Sequence, residues 1–213
     1  MTAAAPIHPA AFSAASLDVV GSPLQPTLHT VGHSTHAIEE FIGILEAHGI
    51  DQLVDIRTIP KSRHNPQFNR EALAASLKAS GIVYRHLPGL GGLRRPRPDS
   101  INTAWRNTSF RGYADYMQTD EFRACLQQLM EFAATKPTAI MCAEAVPWRC
   151  HRSLVADALT ARGIRVIDIL TESKAQAHSM TPFARLDGDR VIYPKEPSAS
   201  DRGPNLDLFA QES

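Results

Sequence analysis

Cysteine is scarce in this 213-residue chain, which has 3, an odd number. That excludes the disulfide framework that staples small secreted domains and points to a reducing, cytoplasmic compartment. An excess of either charge is missing too: Lys plus Arg and Asp plus Glu each total 22. A globally basic surface that coats nucleic acid is therefore excluded, and any nucleic-acid contact has to come from a local patch. No apolar run is long enough to cross a bilayer, so no membrane partner is expected. Residues 1–22 lack a basic start and an uninterrupted apolar stretch, and do not read as a secretion signal.

Familiar cofactor loops are also absent. Gly89-Leu-Gly-Gly92 is followed by Leu93-Arg-Arg-Pro96. A P-loop needs Gly-Lys-Ser/Thr there, and a dinucleotide loop opens directly into a helix. Cys142 and Cys150 do not form a Cys-x-x-Cys pair, and Cys125 falls inside a helical pattern, so neither a metal nor a cofactor is expected. The Cys-x5-Arg phosphatase loop fails as well, because Trp148 stands where arginine is required.

What is present suits one α/β domain with tails. Residues 1–23, rich in Ala, Pro and Ser, read as a loose arm; residues 24–194 as the domain; residues 195–213 as a flexible tail. Three junctions share one design: Gly49-Ile50, Gly81-Ile82 and Gly163-Ile164 each end a helix and open an apolar strand. Ile38, Phe41, Ile42 and Leu45 recur at helical spacing. Asn69 and Thr119 are candidate N-caps for two further helices. Helix is expected again from Gly112 to Met117, and Asp187-Gly188 is expected to turn a terminal hairpin. Helices alternating with short apolar strands predict a single Rossmann-like, three-layer domain. Its sheet should hold about five mostly parallel strands, followed by the hairpin.

In such a sheet the polar residues at the strand ends share one edge, where ligands bind. These ends carry Gly32-His33-Ser34, Asp55 with Arg57, His86 with Gly91 and Gly92, and Cys142 with Glu144 and Arg149 to Arg152. The densest stretch, Ala139 to Leu159, reads as strand, polar loop, helix. The helix N-terminus before Ser153 suits an anion. Arg57, Arg149 and Arg152 are the candidate anion ligands, with Ser34, Ser62, Gly91, Gly92 and Ser153 around them. Cys150 lies beside His151 and two arginines, an environment that favours a thiolate, with His151 or Glu144 as base. Asp55 and His33 are the other candidates for chemistry. Cys142 reads as a small buried hydrophobe.

The set Gly32-His33-Ser34, Asp55-Ile-Arg57, Pro60-Lys-Ser62, Asn65-Pro-Gln-Phe68, Leu90-Gly-Gly92, Tyr113-Ala-Asp-Tyr-Met117 and Cys142-Ala-Glu144…Cys150-His-Arg152 resembles the domain of unknown function 488 family, over about residues 27–194. The resemblance implies a Rossmann-like α/β domain and assigns no activity. In the tail, Asn205-Leu206-Asp207-Leu208-Phe209 is similar to the pentapeptide by which bacterial replication and repair proteins dock on the sliding clamp, with asparagine in place of glutamine. The expected function is therefore to bind a phosphate-bearing ligand, a nucleotide or nucleic acid, and to act on it as a hydrolase or transferase, with a link to DNA replication and repair through the tail. The alternatives are a thiol-dependent small-molecule enzyme and a non-catalytic adaptor.

Overall fold

Apolar runs bounded by glycine and proline become strands here, and the amphipathic stretches between them become helices. The computed structural model describes residues 27–196. Its order is β1 (Thr27–Gly32), α1 (Ile38–Ala47), β2 (Gln52–Asp55), α2 (Arg70–Ala79), β3 (Val83–His86), α3 (Thr108–Tyr116), α4 (Asp120–Ala133), β4 (Thr138–Cys142), α5 (Arg152–Thr160), β5 (Arg165–Thr171), β6 (Lys174–Ala177), β7 (Arg185–Asp187) and β8 (Arg190–Ile192). The expected N-terminal arm and the tail motif at residues 205–209 lie outside the described residues.

Six strands form one sheet in the order β3-β2-β4-β1-β5-β6. Five are mutually parallel, and β6 pairs antiparallel with β5. The short hairpin β7-β8 stands apart from this sheet, with Gly188 in its turn at φ 62°. The α/β class, the parallel sheet and the hairpin are as expected, and β6 is the addition. Its sequence Lys-Ala-Gln-Ala is exposed at all four positions, so it carries no apolar alternation by which to recognise it.

Two apolar layers flank the sheet. On one face Phe41, Ile44 and Leu45 of α1 and Leu73 and Leu77 of α2 pack on Val31, Leu53, Ala139 and Met141. On the other, residues of α3, α4 and α5 pack on Leu28, Val54, Ile140 and Val166. Neighbouring strand residues such as Leu53 and Val54 serve opposite faces, as the pleat requires. Each fully buried Leu, Ile or Phe contributes about 1.5–3 kcal/mol. The three junction glycines Gly49, Gly81 and Gly163 have φ of 64°, 76° and 76°, the left-handed cap that only glycine enters without strain.

Two expected details differ. α3 begins at Thr108, four residues before Gly112, because the Asn107 side chain accepts the backbone N–H groups of Ser109 and Phe110. Asn69 stands at the N-cap of α2, but its side chain accepts the Ser62 N–H at 2.6 Å instead. It folds the β2–α2 crossover onto itself. Thr119 does cap α4, accepting the Phe122 N–H at 3.2 Å.

The strand order fixes where a ligand can enter. β1 and β4 are neighbours, yet the chain leaves β1 toward β2 on one side and leaves β4 toward β5 on the other. Each crossover passes over the other strand, α1 on one face of the sheet and α5 on the opposite face, and their loops leave a crevice at the carboxyl ends.

Candidate functional site

At that crevice β1 continues into His33 and Ser34, whose N–H groups donate to Cys142 O and Ala143 O at 3.0 and 2.9 Å. The loop after β4 is thereby drawn over the end of β1. Only glycine fits at position 32, since a Cβ there would overlap Glu144 O and lie 2.7 Å from Glu144 C. Arg152 holds the same loop from the other side. Its guanidinium is fully buried and donates to Glu144 O and, at 2.8 Å, to Ala145 O. This strip, residues 143–145, divides the crevice into two cavities that share Ala143 and Glu144.

The first cavity, about 510 Å³, is polar, with His33, Ser34, Arg57, Lys61, Ser62 and Asn65 in its wall. Arg57 is its anchor. Nε donates to Asp55 Oδ1 at 2.9 Å, and Nη2 donates to Asp55 Oδ2 and Phe68 O at 2.6 and 2.8 Å. Nη1 donates to His33 Nε2 at 3.1 Å. A guanidinium has five N–H donors, so one Nη1 hydrogen is left for the cavity. His33 must accept at Nε2 and therefore donates from Nδ1 to Ser34 O at 2.8 Å. Burial and the Arg57 charge hold its pKa down at about 4, so the ring is neutral at pH 7. The face of His33 stacks on Phe68, with centroids 4.1 Å apart. Ser34 takes φ 47°, a strained value for a non-glycine residue and a frequent mark of functional sites.

The second cavity, about 270 Å³, has a thiol floor. Cys142 at the end of β4 and Cys150 before α5 are 8% and 5% exposed. Both sulfurs face His151 Nδ1, at 4.0 and 3.7 Å. The Arg152 N–H donates to Cys150 Sγ at 3.5 Å. Cys142 is pulled well below the ordinary thiol range by the hydrogen bond from Cys150, with His151 and Arg152 adding to it against burial. Cys150 is pushed well above that range by the same bond and by its own burial. The pair titrates as a unit, releasing its first proton early and its second late. The His151 ring lies between Tyr113, 5.0 Å away between centroids, and Gly92, where a Cβ would stand 3.1 Å from Nδ1.

The structure brings together His33, Ser34, Arg57 and Ser62 in the first cavity, and Gly92, Arg149, Cys150 and His151 in the second. Glu144, exposed, borders both. Four expected site residues face elsewhere. Asp55 is fully buried, and its oxygens are taken by Arg57 and by Tyr84 Oη at 2.9 Å. It positions Arg57 and touches no cavity. Arg152 is spent on the loop carbonyls. Ser153 donates to Cys150 O at 2.9 Å and faces a different cavity, beside Trp148, Asp168 and His178. Gly91 is packed against Thr58, whose N a Cβ would meet at 2.8 Å. The α5 N-terminus is not an open anion seat either, since the N–H groups of Arg152, Ser153 and Leu154 donate to Cys150 Sγ, Cys150 O and His151 O. Cys142 is buried as expected, but its sulfur belongs to the cluster. Lys61, Asn65 and Tyr113 were not singled out; their signal was their place in the motifs Pro60-Lys-Ser62, Asn65-Pro-Gln-Phe68 and Tyr113-Ala-Asp-Tyr-Met117.

A family model described as "Domain of unknown function DUF488" matches residues 37–159. The chain belongs to that family. The matched span runs from α1 to α5 and carries Arg57, Ser62, Gly92 and the Cys142–His151 cluster, leaving His33 and Ser34 just outside it. No curated protein and no solved structure matches the chain. Among the described residues no helix is long and apolar enough to cross a membrane.

Proposed function

We propose that this member of the DUF488 family is an enzyme acting on a small phosphate-bearing molecule of the nucleotide class, by hydrolysis or group transfer. The observation that carries the reading is the shared wall of the two cavities. Arg57 and Lys61 stand on one side of Ala143 and Glu144, and the Cys142–Cys150–His151 cluster stands on the other. One ligand lying across that strip places its anion against the free Nη1–H of Arg57 and against Lys61, and its reacting centre beside the cluster. Arg57 is pre-organised for this by Asp55, so little entropy is lost when the anion arrives. The anion seat is thus the first cavity rather than the N-terminus of α5. A volume of about 510 Å³ is that of a small-molecule site. A compact cavity of this size suits a single nucleotide better than a strand of nucleic acid. The free thiols of Cys125, Cys142 and Cys150 fit a cytoplasmic setting.

The test is calorimetric titration of the full chain with inorganic phosphate and with nucleoside monophosphates. Lys61 is exposed, so Lys61→Ala leaves the fold intact. Saturable binding that Lys61→Ala weakens about tenfold is expected, the loss of one charge-assisted contact. Absence of binding by every phosphate compound, or an unchanged affinity in the variant, overturns the reading.

A second role is carried by the tail motif Asn205 to Phe209. We propose that it docks in the hydrophobic groove of the sliding clamp, linking the enzyme to DNA replication and repair. Capture of the full chain on immobilised clamp, abolished by deleting those five residues, is the expected result; capture that survives the deletion removes the proposal.

A further inference from the structure

We infer that Cys142, Cys150 and His151 hold a thiophilic metal ion, zinc by its chemistry, with one coordination position left open to the cavity beside Gly92 and Tyr113. The inference deepens the proposed function by naming what makes the cluster reactive, and it stands on the geometry of the cluster alone.

The two sulfurs and one imidazole nitrogen all lie within 4.8 Å of one another. The sulfur-to-Nδ1 separations are 4.0 and 3.7 Å. In a tetrahedral zinc site the bonds are about 2.3 Å to sulfur and about 2.0–2.1 Å to nitrogen, which puts sulfur and nitrogen about 3.6 Å apart. The two sulfur-to-nitrogen edges are therefore within a few tenths of an ångström of those of such a tetrahedron. Hydrogen bonding alone accounts poorly for the arrangement. Thiols are weak donors, and with the Cys150 S–H turned to Cys142 the imidazole nitrogen is left with the Cys142 sulfur, at 4.0 Å.

The donors come from two segments, Cys142 from the end of β4 and Cys150 with His151 from the turn that leads into α5. Cys142 ends β4, where it pairs with Gly32 of β1. Cys150 enters α5, and the Arg152 N–H is aimed at its sulfur, the kind of outer hydrogen bond that stabilises a metal-bound thiolate. His151 is wedged between Tyr113 and Gly92, and any side chain at position 92 would press on the nitrogen that faces the sulfurs. The spacing Cys-x7-Cys-His resembles no common zinc motif, because the loop doubles back over the end of β1 before returning to α5.

Two thiolates and an imidazole select a soft or borderline ion, zinc above magnesium or calcium. Two thiolates also neutralise a divalent charge, which suits a site so little exposed. Three protein ligands with a vacant fourth position is the pattern of catalytic rather than structural zinc. The vacant side faces the cavity that Glu144 and Arg149 border, where a water or a substrate oxygen can enter.

The test is metal analysis of the full chain purified under reductant, followed by cobalt(II) titration. The expected result is roughly one zinc ion per chain, and with cobalt a sulfur-to-metal charge-transfer band together with the intense visible bands of tetrahedral coordination. Cys142→Ser and Cys150→Ser should each cut the metal content by about tenfold or more, while Cys125→Ser keeps it. Should the serine variants fail to fold, the cobalt spectrum of the unaltered chain decides alone, since the charge-transfer band requires sulfur ligands. A reduced chain that takes up neither zinc nor cobalt, or cobalt spectra without sulfur bands, overturns the inference. So does stoichiometric conversion of Cys142 and Cys150 to a disulfide in air with no metal bound, which would make the pair a redox couple. Zinc retained without phosphate binding removes only the ligand reading above; phosphate binding without metal removes only this one.

Discussion

Arg57 Nη1 donates to His33 Nε2 at 3.1 Å, and that single bond settles the state of the imidazole. A guanidinium cannot accept, so the nitrogen facing it carries no proton and the other carries the only one. The pKa of about 4 follows from burial first and from the Arg57 charge second. In the unfolded chain the same ring titrates near about 6.5. Between those values the unfolded state binds a proton that the folded state refuses, so stability falls as pH drops from about 6.5 toward about 4. Urea unfolding across this window should show a steeper acid loss in the unaltered protein than in His33→Gln. Equal slopes would mean that His33 accepts a proton in the folded protein.

Asp55→Asn removes the counterion of a buried guanidinium. The carboxylate accepts from Arg57 N, Nε and Nη2 and from Tyr84 Oη, and an amide can satisfy only part of that set. Breaking one partner of a buried ion pair costs about 3–5 kcal/mol, because the remaining charge stays buried without compensation. A loss of unfolding free energy of that size, read from urea titration, is expected. A loss under about 1 kcal/mol would show that water reaches Arg57 and screens it.

These two sites show how far the sequence could be read. Short apolar runs, period-3.6 patterns and the three glycine caps mark the strands and helices, because burial on both faces of a strand or one face of a helix leaves a local trace. The gathering of polar residues at the strand ends was legible for the same reason: parallel strands put their ends on one edge. What each polar residue does there was not legible. Asp55 and Arg57 stand two positions apart, but that the carboxylate would take both the Arg57 N–H and its guanidinium depends on the turn after β2. Arg152 looked like an anion ligand because it follows Cys150-His151, but α5 turns its guanidinium inward to the carbonyls of residues 144 and 145. Cys142 and Cys150 looked unrelated because eight positions separate them and the contact depends on the loop's return. β6 was invisible because all four of its side chains face water.

The closeness of the β4 loop to β1 gives a paired prediction on glycine. At Gly32 an added Cβ would overlap Glu144 O and lie 2.8 Å from Ala145 Cα, both backbone atoms that cannot swing aside. Gly32→Ala must separate the loop from the sheet, at a cost of about 1–3 kcal/mol, and should disturb both cavities. At Gly43, inside α1, nothing lies within 4 Å of the added atom. Gly43→Ala should stabilise the protein by about 0.8–1.0 kcal/mol through helix propensity alone. Thermal unfolding of the two variants should shift in opposite directions. A Gly32→Ala protein as stable as the unaltered chain would show that the 143–145 strip is not held against β1.

The last prediction concerns a buried network that the sequence did not announce. His178 donates from Nε2 to Asp157 Oδ1 at 2.9 Å and from Nδ1 to Asp168 Oδ2 at 3.2 Å. Tyr193 and Thr181 also donate to Asp157, and Thr30 donates to Asp168. The ring thus ties the segment after β6 to α5 and β5. Burial opposes its charge, but the hydrogen bonds and charges of the two aspartates outweigh it and raise its pKa to about 9. The folded state therefore keeps a proton that the unfolded state gives up near about 6.5. This contribution to stability is fully present below about 6.5 and is lost as pH rises through about 9. Melting temperatures measured from neutral to alkaline pH should fall more steeply for the unaltered protein than for His178→Gln. The gap between the two should be widest at neutral pH and narrow above about 9. A gap that stays constant across the range would show that the imidazole is neutral throughout and donates to only one of the two aspartates.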